Sequence, residues 1–273
     1  MTSKAAADLG EQSTTEGKTV SQSVLVSDSE GVRTITINRP EARNAIDRVT
    51  AELLRSAMVE LDARDDLAVA VITGAGGGFS AGMDLKAFGR GEIPVLDPGG
   101  FGGFTQSPPA KPLIAAVEGF ALAGGFELVL ACDLVVAARD SRFGLPEVSR
   151  GLVAAAGGLL KLPQRIPRNV AMELALTAKP LSAPRAFELG LVNRLAESGE
   201  ALDEALAMAA DIRANAPLAL AASKRIIVES SDWPADEAFE RQREYVAAIE
   251  SSVDAAEGAR AFVEKRAPHW VAR

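Results

Sequence analysis

Residues 119–136 read GFALAGGFELVLACDLVV, an apolar run broken only by Glu127 and Asp133. The pair Gly124–Gly125 divides it, and the resulting order of strand, glycine-rich turn, helix and strand is the grammar of an α/β protein. Glu127 falls in the first turn of that helix. Burying an unpaired carboxylate costs roughly several kcal/mol, so this residue needs a partner, an exit to solvent or a chemical reason to be there.

The same order recurs upstream. AVAVITG (68–74) is a continuous apolar run ended by glycine, as a strand buried on both faces should be. GGGFSAGMDLK (76–86) then supplies a second glycine turn that opens a short helix. Helix N-termini leave backbone N–H groups without partners, and two such turns side by side can aim them at one oxygen, the geometry that stabilises an oxyanion. Either turn by itself reads more simply as tight packing against a sheet.

Farther out, SVLVSDS (23–29) and GVRTITIN (31–38) predict a hairpin around Glu30–Gly31. A helix is expected from about Thr50 to Asp65, with Leu53, Leu54, Ala57, Met58 and Leu61 on one face. PLIAAVEG (112–119) and DLVVAAR (133–139) repeat the strand signature, so strand and helix alternate to about residue 195. From Ser182 helices dominate: SAPRAFELG, then about 200–215, 217–230, 234–250 and 252–265, with Pro217 and Pro234 as starts. Residues 88–109, dense in glycine and proline, read as a long mobile loop or lid. Residues 1–20 are small and polar, without the apolar stretch of a secretory signal or the arginines of a transit peptide, and read as a disordered tail.

Composition narrows the function. With 48% hydrophobic and 24% charged residues over 273 positions, one large core forms without disulfides or metals. The net charge of −8 argues against a general binder of nucleic acid or of membrane surfaces, and still allows a local basic pocket for one anionic ligand. Charges interrupt every long apolar run, so no membrane span is expected and the expected location is the cytoplasm. Cys132 sits among apolar residues as a small buried hydrophobe, and the single histidine, His269, lies too near the C-terminus to build a triad or a metal centre.

Glu147 follows Glu127 by twenty residues, after a turn fixed by Pro146. Two carboxylates delivered to one apolar pocket push their pKa values apart, leaving one protonated and one ionised, the division that acid–base chemistry needs. The residues alone leave two other readings open: Glu127 as compensation of a helix dipole, and Glu147 as an exposed loop acid.

NRPEARNAI (38–46), FSAGMDLK (79–86), KPLIAAVEGFALAGGFELVLACD (111–133), FGLPEVSRGL (143–152), LTAKPLSAPRAFELGLVNR (176–194) and EGARAFVEKRAP (257–268) resemble, in that order, the successive signatures of the crotonase (enoyl-CoA hydratase/isomerase) superfamily. The likeness covers the chain from about residue 22 to its end. It implies an α/β fold: a crotonase-like spiral of ββα units over 21–195 and a helical C-terminal trimerisation region over 196–273, assembled as a homotrimer or homohexamer. It further implies an acyl-CoA thioester substrate, no metal or other cofactor, and no nucleic-acid or membrane partner. By motif position the Met83 and Gly124 N–H groups would hold the thioester oxygen. One glutamate of the pair Glu127 and Glu147 would activate water for the β-carbon, and Glu147 would exchange the proton at the α-carbon. Ala45, Lys86, Phe262 and Lys265 match positions that contact CoA, while Asp84 reads as a structural acid at a helix start. The expected reaction is reversible hydration of a trans-2-enoyl-CoA, with carnitinyl-CoA dehydration or enoyl-CoA isomerisation as alternatives on the same scaffold. A non-catalytic acyl-CoA or RNA binder is the reading from another class.

Two departures concern the substrate. Ala123 stands where many hydratases have a third glycine, and GLVAAAGG (151–158) lacks a proline and a glycine common there, which narrows the room near the acyl chain. Phe126, DPGGFGGFTQ (97–106) and EKRAPHW (264–270) are similar to the carnitinyl-CoA hydratase-like subgroup, whose quaternary ammonium would favour an aromatic cage drawn from Phe88, Phe101 and Phe104.

Overall fold

The computed structural model describes residues 22–273, so the tail expected over 1–20 lies outside the described residues. β1 (Val24–Ser29) and β2 (Val32–Ile37) form the expected hairpin. Glu30 and Gly31 both take positive φ, 48° and 76°, which a two-residue turn of this hand requires. α1 (Arg48–Ala63) begins where the Asp47 side chain accepts the Thr50 N–H, and it buries Leu54, Ala57, Met58 and Leu61 on the expected face. Along the chain follow β3 (Val69–Gly74), α2 (Leu85–Phe88), β4 (Val95–Leu96), β5 (Gly100–Phe101), β6 (Leu113–Val117), β7 (Phe120–Leu122), α3 (Gly124–Ala131), β8 (Leu134–Ala138) and β9 (Arg142–Gly144). Then come α4 (Gly158–Arg165), α5 (Arg168–Thr177), β10 (Leu181–Ser182), α6 (Ala183–Glu188), β11 (Arg194–Ala196), α7 (Ala201–Arg213), α8 (Pro217–Glu229), α9 (Ala238–Glu250) and α10 (Val253–Glu264).

Six strands make one sheet in the order β1-β2-β3-β6-β8-β11, parallel from β2 onward. A smaller sheet, β10-β9-β7, lies beyond it. Successive side chains of a strand point to opposite faces. Ala70, Ile72, Leu113, Ala115 and Val117 enter the cluster shared with α1 and α3, whereas Val69, Val71, Ile114, Ala116 and Val136 pack with Ala201, Ala205, Met208 and Ala209 of α7. Both faces are covered, which is why these strands read as unbroken apolar runs. Glu118, one of the acids that interrupt those runs, accepts the N–H groups of Gly199 and Ala201 (3.1 and 2.9 Å) and so caps α7.

Two expectations change. Residues 88–109 are not an open loop: β4 and β5 pair within them, Phe104 is fully buried and Phe101 is 5% exposed. The glycines there permit close contact; a Cβ on Gly103 would stand 2.6 Å from the Ala51 carbonyl of α1. The helix expected from residue 234 starts at Ala238, because Pro234 instead closes a turn by accepting the Glu237 N–H.

Candidate active site

The two glycine turns meet. Ser80 is their pivot: its hydroxyl donates to the Asn44 carbonyl (2.7 Å) and accepts the Gly82 N–H (3.1 Å), while its carbonyl accepts the Leu122 N–H (3.0 Å). A Cβ on Gly82 would stand 2.8 Å from the Gly124 nitrogen, and one on Gly125 would stand 2.2 Å from the Ser80 oxygen. Only glycine allows this approach. Met83 and Gly124 are thus carried on abutting turns, and among the described residues neither N–H donates to a protein acceptor. Gly124 also opens α3, where the helix dipole is positive. Ala123, just before it, holds φ 51° and ψ −132°. That conformation strains any residue with a Cβ by about 1–3 kcal/mol, which gives the missing third glycine a structural consequence.

Glu127 and Glu147 are 4% and 9% exposed, although they come from different elements. Glu127 Oε1 accepts the N–H groups of Ala156 and Gly158, at 2.7 and 2.9 Å, where the chain enters α4. Among the described residues no group donates to its Oε2. Glu147 begins a single 3-10 turn after Pro146, and its Oε2 is buried without a partner among the described residues. Burial is the first cause raising both carboxyls above the usual glutamate range. The two amides and the ammonium of Lys161 pull Glu127 back toward ionisation; Glu147 is pulled back by its own backbone N–H and by Arg150 and pushed up by the charge of Glu127.

Ala45 and Met83 lie on neighbouring backbone, since Ile46 and Met83 form an isolated bridge. Lys86 is exposed on α2, whose N-terminus Asp84 caps by accepting the Lys86 and Ala87 N–H groups (3.0 and 3.1 Å). Arg39, which the sequence reading missed, binds Asp84 (3.0 Å), Asp47 (3.1 Å) and the Ala45 carbonyl, so one guanidinium fixes the starts of both helices. Lys161 was missed as well; its ammonium donates to the Thr105 carbonyl at 2.8 Å. Phe262 and Lys265 lie on α10 and at its end, and Phe262 is 85% exposed. Among the described residues no hydrogen bond or ion pair joins them to the Ala45–Lys86 segment. The expected aromatic cage does not form either: Phe104 is core, Phe101 lies on Gly124 and Phe88 is exposed on α2, because ring burial decided their places.

A cavity of about 1010 Å³ lies between α3, α4, α8 and α9 but is lined by neither glutamate. Glu147 lines another of about 650 Å³ with Leu145, Leu160, Met172 and Leu176. Cys132 is sealed in the core, its thiol pushed up to about 12 by burial. No helix among the described residues is long and apolar enough to cross a membrane.

Known proteins share this architecture. A carnitinyl-CoA dehydratase of Salmonella typhi is 40% identical over 262 residues, spanning 93% of this chain and 100% of that protein. An enoyl-CoA hydratase structure from Mycobacterium tuberculosis H37Rv superposes with a TM-score of 0.91 at 57% identity, over 93% of this chain and 100% of that one. A carnitinyl-CoA hydratase structure from Mycobacterium avium covers the same shares at 41% identity with a TM-score of 0.74. The model of the Enoyl-CoA hydratase/isomerase family matches residues 27–273, so glycine turns, sheet order and sequence agree along nearly the whole described chain, and the chain belongs to that family.

Proposed function

We propose that the chain is an enoyl-CoA hydratase acting on trans-2-enoyl-CoA thioesters. The observation that carries this reading is the asymmetry of the buried acids: Glu127 is anchored by two amides with one oxygen free, and Glu147 has a buried oxygen without a partner. Glu127 takes a proton from water, the water oxygen bonds to the β-carbon, and Glu147 delivers its proton to the α-carbon. The Met83 and Gly124 N–H groups bind the thioester oxygen, where negative charge grows as the β-carbon is attacked. After release one proton returns from Glu127 to Glu147 through solvent, so atoms balance with no oxidant or reductant. Ala45 and Lys86 lie beside the Met83 turn and are assigned to the CoA moiety. Phe262 and Lys265 are assigned to it through a second copy in a homotrimer or homohexamer, and the exposure of Phe262, Val263 and Phe239 supports such assembly (85%, 78% and 79%). Light scattering that gave a monomer would remove the assignment of these two residues.

Loss of the conjugated enoyl-thioester absorbance on adding the protein tests the reaction. Absence of turnover with every straight-chain trans-2-enoyl-CoA offered would reject it. Dehydration of carnitinyl-CoA is the second reading, favoured by the 40% identity to the Salmonella typhi dehydratase over its whole length. The 57% identity to the Mycobacterium tuberculosis hydratase structure puts simple enoyl substrates first. Side-by-side rates on carnitinyl-CoA and 3-hydroxybutyryl-CoA separate the two.

A further inference from the structure

Lys161 carries a charge that the acid–base step leaves unused. It is half-buried on α4, and among the described residues no carboxylate lies within ion-pair distance of it. Its ammonium donates instead to the Thr105 carbonyl at 2.8 Å. A cation drawn partly out of water without a paired acid is costly, so the position needs a reason. The turn before α4 supplies one. The Lys161 N–H donates to the Gly157 carbonyl (2.9 Å), and its stem folds back over the same residue: a Cβ on Gly157 would stand 3.7 Å from Lys161 Cε and 3.8 Å from Cδ. Gly157 lies between Ala156 and Gly158, whose amides hold Glu127 Oε1, and a Cβ on Gly158 would stand 3.0 Å from Glu127 Cγ. One side chain therefore spans from the turn that grips Glu127 to the segment that ends at Thr105.

The other charges near the pair have different engagements. Glu147 stands on its 3-10 turn, Arg165 of α4 donates to the Cys132 carbonyl, and Asp133 beyond α3 is paired with Lys224 of α8 (2.7 Å). Residues 98–109 contribute no titratable side chain, and Arg55 of α1 reaches the Gly103 carbonyl (3.4 Å). Lys161 is the cation whose field acts on Glu127. Burial is the first cause holding its own ammonium below the ordinary 10.5, followed by Arg165, while Cys132, Asp133 and Glu127 work against them. We propose that Lys161 is a positioning residue for hydration: its stem pins the 156–158 turn that holds Glu127, and its ammonium supplies the positive charge that balances the ionised base. The inference rests on the reading of Glu127 as that base.

The test uses the full chain and its Lys161→Met, Lys161→Gln and Lys161→Arg variants, and reads the pH profile of kcat/KM on trans-2-butenoyl-CoA. Glu127 must be ionised to act, so kcat/KM falls as pH drops through its pKa, and removing a neighbouring cation moves that limb to higher pH. A close opposite charge moves a carboxylate by about 1–3 pH units, and the lower end applies to a half-buried cation. In Lys161→Met and Lys161→Gln the acid limb should rise by about one pH unit, which lowers kcat/KM about tenfold on that limb and much less on the plateau; Lys161→Arg should restore the wild-type limb. An unmoved limb in a folded variant overturns the proposal, and so does a uniform loss at every pH, which a merely structural lysine would give. If Lys161→Met does not fold, Lys161→Gln decides, since it keeps a donor toward Thr105. Infrared titration of the Glu127 carboxyl, assigned by its loss in Glu127→Gln, reads the same shift without turnover. A wild type that hydrates no enoyl thioester, or a Glu127→Gln variant that keeps the rate, defeats the reading of the base alone, and the infrared titration then decides about Lys161.

Discussion

Replacing Glu127 by glutamine separates two tasks of one side chain. Oε1 accepts the Ala156 and Gly158 N–H groups at 2.7 and 2.9 Å, and a glutamine carbonyl can accept the same pair, so the entry to α4 keeps its contacts. The charge disappears, and with it the capacity to take a proton from water. General-base assistance is typically worth about 10²–10⁴-fold, and at about 1.36 kcal/mol per decade that is roughly 3–5 kcal/mol of barrier. Stability moves the other way. Burial raises the Glu127 carboxyl above its ordinary 4.5. A group whose folded pKa lies above the unfolded one contributes stability below the unfolded value and loses it as pH rises through the folded value. Near neutral pH the wild type carries that penalty and Glu127→Gln does not, so the variant should melt at an equal or higher temperature. Its advantage should vanish in acid, below the ordinary glutamate pKa. Glu127→Ala is the control, because it leaves two buried N–H groups without acceptors at about 1–3 kcal/mol each. Steady-state hydration and thermal melts of the three proteins, at about pH 8 and again in acid, decide the matter. Retention of more than about a tenth of wild-type kcat in Glu127→Gln would refute its role as base. A melting point as low as that of Glu127→Ala would refute the amide-acceptor argument.

The other expectations concern neighbouring groups. Glu147→Gln should lose activity by a similar ~10²–10⁴-fold. The wild-type kcat/KM profile should be a bell with Glu127 as the deprotonated and Glu147 as the protonated partner, its limbs displaced above the ordinary 4.5 because burial raises both carboxyls; a rate independent of pH across the weakly acidic range would rule this out. Ala123→Gly should relieve the strain at φ 51° and, after the entropy glycine adds to the unfolded chain, raise stability by about 1 kcal/mol, or about 2–4 °C in Tm; calorimetry giving a lower Tm would deny the strain. Gly125→Ala should destabilise by about 1–3 kcal/mol or more, since its Cβ would stand 2.2 Å from the Ser80 oxygen, and an unchanged denaturation midpoint would mean the turns are not pressed together. Cys132 should stay inert to thiol reagents until the protein unfolds, and rapid labelling of native protein would place it at the surface.

Much of the site was legible because local features encode it. A glycine pair after an apolar strand marks a turn whose backbone must approach something closely, and Gly82 and Gly125 do so at distances that exclude a Cβ. A glutamate in the first turn of an apolar helix stands out because its burial has to be compensated. The compensating donors were not legible: Ala156 and Gly158 lie at the entry to α4, about thirty residues later, and nothing in their residue type announces two free N–H groups. Arg39 was invisible for the same reason, since pairing with both Asp47 and Asp84 depends on where two helices begin. The segment 88–109 misled because glycine and proline signal turns in open loops and close packing alike, and only the buried rings of Phe101 and Phe104 distinguish the cases.

The sequence by itself determined the parallel sheet, the two glycine turns and the two acids, because strand burial on both faces, φ freedom and carboxyl chemistry are properties of single residues and their immediate spacing. The tertiary structure alone decided which acid is anchored by amides and that the supposed lid is packed against Gly124. Those outcomes depend on contacts between segments far apart in the chain. Apolar periodicity records that a residue is buried and carries no record of what it is buried against.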